Sequence, residues 1–347
     1  MPDGETKRLS HAGRWAALLL VTVALVGGLM ALPDIRPAKP PTRHATSLQS
    51  LTAFHTLNGT LGQVGDVTPP PSPYAQLVPP DAPRISAAAA YLVDPKTGEV
   101  FYANSALKEV PMASTTKIMT ALVAMTFGKP DQKITIGADA VAEQNGENSV
   151  AWLQKGDVLT LHDLLYALLL PSGDDAAVAI ADGVAGSEPN FVAMMNMEAA
   201  LLGLDHTHYT NVHGLDADGH YTTVGDLAHI ARVAMNFPLF AQIVKTPKYT
   251  VTTQLHGQYT WDTTNELLTP MHAYQGVTGV KTGHTGNAGF CLVFSATRNG
   301  STLIGVLLGE QDEFGEQRFV DATALLDWGF DREQNITRWF NAIAGKH

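Results

Sequence analysis

The sequence predicts an α+β protein, an α/β sandwich in which an antiparallel β-sheet is flanked by helices and accompanied by a helical subdomain. Three observations predict it: a hairpin signal near residue 95, a block of helical patterns from 114 to 235, and a run of strand signals after 248 that ends in one further helix. Strands joined through short turns pair antiparallel, and helices gathered between them must cover the faces of the sheet. No internal repeat interrupts this order.

The elements follow from local pattern. ISAAAAYLVD, the turn Pro95-Lys96-Thr97-Gly98 and EVFYANS read as a β-hairpin. Residues 114–126 form an apolar helix, and residues 161–170 form another that Pro171 ends. Helical spacing returns at 175–184, 191–203 and 222–235. KYTVTT, GQYTWDT, GVTGVKTG and GFCLVFSAT then read as strands, and GFCLVFSAT pairs with STLIGVLLG across the turn Arg298-Asn299-Gly300. QRFVDATALLDWGF closes the body near residue 330 as a helix.

Composition bounds the function. With 347 residues, 45% hydrophobic and 16% charged, the chain is mostly globular, long enough for about two domains, and neither collagen-like nor a coiled coil. The net charge of −11 argues against gripping phosphate backbones, so no nucleic-acid partner is expected. The single cysteine, Cys291, excludes an intramolecular disulfide and a cysteine-based zinc site; inside GFCLVFSA it reads as a buried, inert strand residue.

The first quarter of the chain has its own organisation. A basic leader, 1–14, precedes an uncharged apolar run at 15–32 that reads as a transmembrane anchor or signal segment. Its 18 residues span roughly 27 Å as a helix. Leu29 stands where a cleavage site wants a small residue, which favours a retained anchor. Residues 33–84 hold 11 of the 20 prolines and read as an extended tether. Residues 85–333 then form the globular body, followed by a short tail, 334–347. Residues 1–43 carry six basic and three acidic side chains, so the remainder stands at −14.

Two short motifs each occur twice, and context chooses between the copies. Ser105-Ala-Leu-Lys108 and Lys96-Thr97-Gly98 fall in loops; Ser114-Thr-Thr-Lys117 opens an apolar helix, and Lys281-Thr282-Gly283 ends a strand-like stretch. At i and i+3 on a helix, the Ser114 hydroxyl and the Lys117 amine share a face, close enough for the amine to take the hydroxyl proton. The helix N-terminus favours a developing oxyanion. A lysine serves as base only if burial or a nearby cation holds it partly neutral, and Lys281 is a candidate for that cation. Pro171-Ser172-Gly173-Asp174-Asp175 breaks two helices and presents a second hydroxyl, Ser172. Lys281 with Thr282 suits a carboxylate, and Gly283 lets a peptide approach the strand closely.

In this order and context the motifs resemble those of the serine D-alanyl-D-alanine carboxypeptidases, the low-molecular-mass penicillin-binding proteins of peptidase family S11. The resemblance runs over roughly 85–333, through the blocks around Ser114, around Ser172, TNVHGLD with GHYTTVGDLA, and GVTGVKTGHT with AGFCLVFSATRNG. It implies a β-lactamase/transpeptidase-like fold and removal of the terminal D-alanine from peptidoglycan stem pentapeptides. Ser114 would be the acyl-enzyme nucleophile, Lys117 its general base, and Ser172 the relay of a proton to the leaving D-alanine. Lys281 and Thr282 would hold the substrate carboxylate, and the backbone N–H groups of Ser114 and His284 would form the oxyanion hole. Penicillin would acylate the same serine. The catalytic body would face outward from the cell membrane, held through 15–32, or be secreted if that segment is cleaved.

One position departs from the family pattern: Asp174 stands where Asn is usual. An ionised Asp174 accepts a bond from Lys117 and favours the protonated amine, which retunes acylation in pH. The alternatives are a D,D-endopeptidase or transpeptidase of the same fold, a β-lactamase, or a non-catalytic penicillin-binding sensor. The interval between Glu198 and Glu266 holds no glutamate that could activate a deacylating water. His206, His208, His213 and His220 match no usual zinc spacing, so no metal or cofactor is expected; the resemblance makes His213 part of a structural turn.

Overall fold

A five-stranded antiparallel sheet is the spine of the molecule. The computed structural model describes residues 76–146 and 148–344. The strands are β1 (Ala89–Val93), β2 (Val100–Asn104), β7 (Val277–Thr285), β8 (Gly289–Arg298) and β9 (Ser301–Glu310), in the spatial order β2-β1-β9-β8-β7. Chain-distant β1 and β9 are central neighbours, pairing from Ala89 with Leu308 to Val93 with Ile304. The edge strand β7 carries Lys281, Thr282 and Gly283.

Both faces of this sheet are covered, which is why its central strands read as near-continuous apolar runs rather than as alternation. Ala89, Tyr91, Val293, Val306 and Leu308 face one core, and Ala90, Leu92, Leu292, Phe294, Leu303 and Leu307 face the other. Gly305 makes room for the second: a Cβ there would lie 2.0 Å from the Phe294 ring.

The helices divide between the faces. The last helix, Gln317–Ala344, places Phe319, Ala322, Leu325, Leu326 and Phe330 against the second core. On the first core lie α1 (Lys117–Phe127), α2 (Ala138–Ala142), α3 (Leu161–Leu169), α4 (Asp174–Ala185), α5 (Glu188–Leu201), α6 (Val224–Ala234) and α7 (Pro238–Val244); the last helix is α8. α3 starts with a capping box in which Thr160 and Asp163 satisfy each other's backbone. Two small two-stranded sheets, β3 (Lys133–Thr135) with β4 (Val158–Thr160) across α2, and the hairpin β5 (Lys248–Thr253) with β6 (Gly257–Asp262), complete the body.

The expected elements fall where the pattern places them, but β3, α2, β4 and α7 have no counterpart in the sequence reading, and two ends differ. α8 does not stop near 330 but continues to Ala344, through most of the expected tail. Gly329 does not break it because the helix lies against the sheet there, where a Cβ would come 2.7 Å from Leu92. Residues 76–84, read as the end of the tether, already belong to the body. Leu77 exchanges two backbone hydrogen bonds with Ala103, at 2.7 and 2.8 Å. Asp81 accepts from the Trp328 indole at 3.2 Å. The expected anchor at 15–32 lies outside the described residues; among the described residues no single helix is long and apolar enough to cross a membrane.

Asp175 ties the helical part together. It is fully buried at the start of α4 and accepts from the backbone of Ala151 and Leu153 at 2.9 and 3.0 Å, from its neighbour Ala176 at 2.9 Å, and from Gln144 Nε2 at 3.0 Å. Cutting it back leaves those buried donors unsatisfied, so Asp175→Ala should lower the unfolding free energy by about 3 kcal/mol in urea titration. A loss below about 1 kcal/mol would show that water takes over its bonds.

Candidate active site

The centre of the site is a tight turn running into a helix. Residues Ala113–Thr116 form a 3-10 turn that continues directly into α1, so Ser114 stands at a helix N-terminus with no acidic residue in that turn. Ala113 has φ 48°, a left-handed backbone that a side-chain-bearing residue keeps only when its neighbours enforce it. Thr116 Oγ1 donates to Ala113 O at 2.8 Å, and His220 Nε2 lies 2.8 Å from Thr116 Oγ1. His220 Nδ1 accepts from the Thr210 backbone at 3.1 Å, so the neutral ring carries its hydrogen on Nε2 and donates it to Thr116. Burial keeps that ring neutral, pushing His220 down to about 4. Gly214, at φ 99°, closes the turn from outside, and a Cβ there would be 2.0 Å from Ala113 O.

Lys117 is fully buried and its amine has three partners: Ser114 Oγ at 2.9 Å, Asp174 Oδ1 at 2.6 Å and His213 O at 2.7 Å. Three acceptors match the three hydrogens of an ammonium, so the resting arrangement is an ion pair. Asp174 sits in the first turn of α4, where the positive end of the helix favours a carboxylate. His213 supplies only its carbonyl; its ring is pushed down to about 3, first by burial and then by the Lys117 charge. The turn that aims this carbonyl is built by Asn211, which accepts from Gly214 N at 2.7 Å and donates to Leu215 O at 2.9 Å. Further acid lies nearby: burial and then the Asp174 charge raise Glu143 above the usual carboxylate value.

Ser172 occupies the loop between α3 and α4 at φ 67°, and its Oγ is buried with no hydrogen-bond partner among the described residues. Lys281, 1% exposed, donates to Thr282 O at 2.9 Å, and Thr282 Oγ1 is hydrogen-bonded to Thr264 Oγ1. Burial, and secondarily Lys117, pull the Lys281 amine well below the ordinary lysine value, while Asp174 opposes them. Gly283 corrects the sequence argument about approach. What comes close is the chain's own turn, since a Cβ would stand 3.0 Å from Ser114 N and from Ala113 Cβ. His284 is exposed, its ring stacked on Phe290 at 4.1 Å.

The four clustered histidines do not converge. His206 pairs with Glu109 at 2.9 Å, His208 with Gly219 O at 2.6 Å, and His213 and His220 serve the two turns above. Cys291 is buried in β8, and burial pushes its thiol up to about 12. Sequence reasoning missed three groups: the Thr116–His220 brace, the His213 carbonyl and Arg318. Arg318 is the second residue of α8, and its positive charge helps depress Lys281. A signal for it existed, because a cation in the first turn of a helix opposes the helix dipole and needs a reason to be there.

An antiparallel sheet with a helix-borne serine and lysine beside its edge strand is the architecture of the penicillin-binding serine peptidases. The comparisons agree. Residues 76–312 match the D-alanyl-D-alanine carboxypeptidase family, peptidase S11. The chain is 37% identical over 262 residues to D-alanyl-D-alanine carboxypeptidase DacD of Salmonella typhimurium, covering 72% of this chain and 64% of that protein. It is 38% identical over 264 residues to the D-alanyl-D-alanine carboxypeptidase of Streptomyces sp. strain K15, covering 72% of this chain and 88% of that one. The crystal structure of the Streptomyces K15 DD-transpeptidase superposes with a TM-score of 0.67 at 37% identity, over 72% of this chain and 99% of that chain. The chain belongs to the D-alanyl-D-alanine carboxypeptidase family S11.

Asp174→Asn tests the ion pair. Without its carboxylate partner the Lys117 amine gives up a proton more readily, so the acid limb of penicillin acylation should move to lower pH. An unchanged rate profile would show that Asp174 does not set the state of the base.

Proposed function

We propose that the chain is a serine D,D-carboxypeptidase that removes the terminal D-alanine of peptidoglycan stem pentapeptides through an acyl-enzyme on Ser114. The observation that carries the reading is the 2.9 Å contact between Ser114 Oγ and buried Lys117 Nζ at a helix N-terminus, beside the strand bearing Lys281. Once its amine is neutral, Lys117 takes the hydroxyl proton, and Ser114 Oγ attacks the carbonyl carbon of the penultimate D-alanine. The oxyanion develops where the helix dipole and the Ser114 and His284 backbone N–H groups favour it. Ser172, whose hydroxyl has no other hydrogen-bond partner among the described residues, passes a proton to the leaving D-alanine amine. Water then frees the shortened peptide.

The terminal carboxylate lies with Lys281 and Thr282, and Arg318 adds a second cation beside them. Binding then returns Lys281 toward its charged form. β-Lactams carry a carboxylate and a reactive carbonyl, and acylate the same serine. The membrane partner is the segment 15–32 followed by a Pro-rich tether, with the catalytic body outside the cytoplasm; this rests on the apolar run and the proline content alone.

Intact-mass measurement after penicillin should show one adduct on the wild type and none on Ser114→Ala. A peptide ending in D-alanyl-D-alanine should release D-alanine only with the wild type. Penicillin adduct without D-alanine release would make the chain a sensor, and rapid steady-state hydrolysis of a chromogenic β-lactam would make it a β-lactamase. A base with a lowered value is charged below that value and neutral above it. KM for the carboxylate-ended peptide should therefore climb with pH well before 10.5, the value of an ordinary lysine; a KM flat to that pH would remove Lys281 from the subsite.

A further inference from the structure

Arg318 is held in an unusual way. A guanidinium this enclosed normally lies against a carboxylate, yet among the described residues none is within ion-pair distance of it, and its Nε is buried without a hydrogen-bond partner. Its planar group lies instead over two aromatic rings, 4.8 Å from the centroid of Phe290 and 4.8 Å from that of Phe319. Both distances fall within cation–π range. The rings are themselves backed. Phe319 stacks on His272 at 5.2 Å, and His272 Nδ1 lies 2.8 Å from Glu266 Oε2. Phe290 stacks on His284, the residue after Lys281-Thr282-Gly283. The loop before α8 covers Phe290 only because residue 315 is glycine at φ 72°, where a Cβ would be 2.4 Å from the ring.

We propose that Phe290 and Phe319 are positioning residues that clamp the Arg318 guanidinium by its faces, leaving its N–H edge free for the terminal carboxylate of the substrate. Aromatic faces attract the cation without occupying its donors, whereas a carboxylate partner would consume the donors that the substrate needs. The clamp also answers why a cation survives in the first turn of α8: the rings offset the helix dipole that opposes it. Selection for a free C-terminal carboxylate therefore depends on two residues that touch no substrate. This rests on the carboxypeptidase reading above.

The test compares two peptides that differ only at the C-terminus, one ending in D-alanyl-D-alanine and the other in its C-terminal amide. In the wild type the acid should be preferred in kcat/KM. Phe319→Leu should reduce that preference about tenfold, the share of one cation–π contact, through KM for the acid with kcat little changed. Phe319→Tyr, which keeps the ring face, should restore it, and Phe319→Leu should have no further effect in an Arg318→Gln background. Should Phe319→Leu fail to fold, Phe290→Leu carries the same expectation at the half-buried ring. Equal losses on acid and amide, or full preference retained in Phe319→Leu, would overturn the clamp while leaving the carboxypeptidase reading intact. A wild type that releases no D-alanine, or that does not prefer the acid, would overturn both.

Discussion

The burial of one ammonium group organises this molecule. Lys117 has no exposed surface, and a charge taken out of water must find its hydration replaced atom for atom. Each replacement comes from a different part of the chain: the hydroxyl of Ser114 from the same turn, the carboxylate of Asp174 from α4, and the carbonyl of His213 from a loop nearly one hundred residues downstream. Meeting that demand fixes α1, α4 and the Asn211–Leu215 turn relative to one another. The candidate site and the packing of the helical subdomain are thus one requirement seen from two sides.

The sheet imposes a second order. Because β1 pairs with β9, the early hairpin cannot find its place until the last strand exists, and the helical block is inserted between them. The same layering puts β7 at an edge, the one position where a strand carrying Lys281 can face a cleft rather than a neighbour strand. Lys281 and Lys117 are both buried, and the charges of Lys117 and Asp174 act on Lys281 with opposite sign, a local positive environment in a chain that stands at −11 as a whole.

Much of this was legible in the residues. Period and turn chemistry place the main sheet and every described helix except α2 and α7, since Pro171 and Arg298-Asn299-Gly300 act locally. The Ser114, Ser172 and Lys281 loci were legible because their residue types are chemically costly where they stand. What stayed hidden depends on distant partners. Nothing near Thr116 announces that His220 will orient it, and Gly283 looks the same whether it yields space to a peptide or to the Ser114 turn. The membership of residues 76–84 in the body was hidden by proline content, which describes a stiff chain equally well when it is free and when Leu77 is pinned to Ala103.

That pinning bears on mechanics. The segment entering the body and the helix ending it meet at one corner, where Asp81 touches both Trp328 and Arg332. The entering segment is thus held twice before the chain reaches β1, to the edge strand β2 through Leu77 and Ala103 and to α8 through Asp81. The fold in effect has a collar: the entering segment and the closing helix fasten each other at one rim, while the Ser114 turn packs on the face of the sheet away from α8.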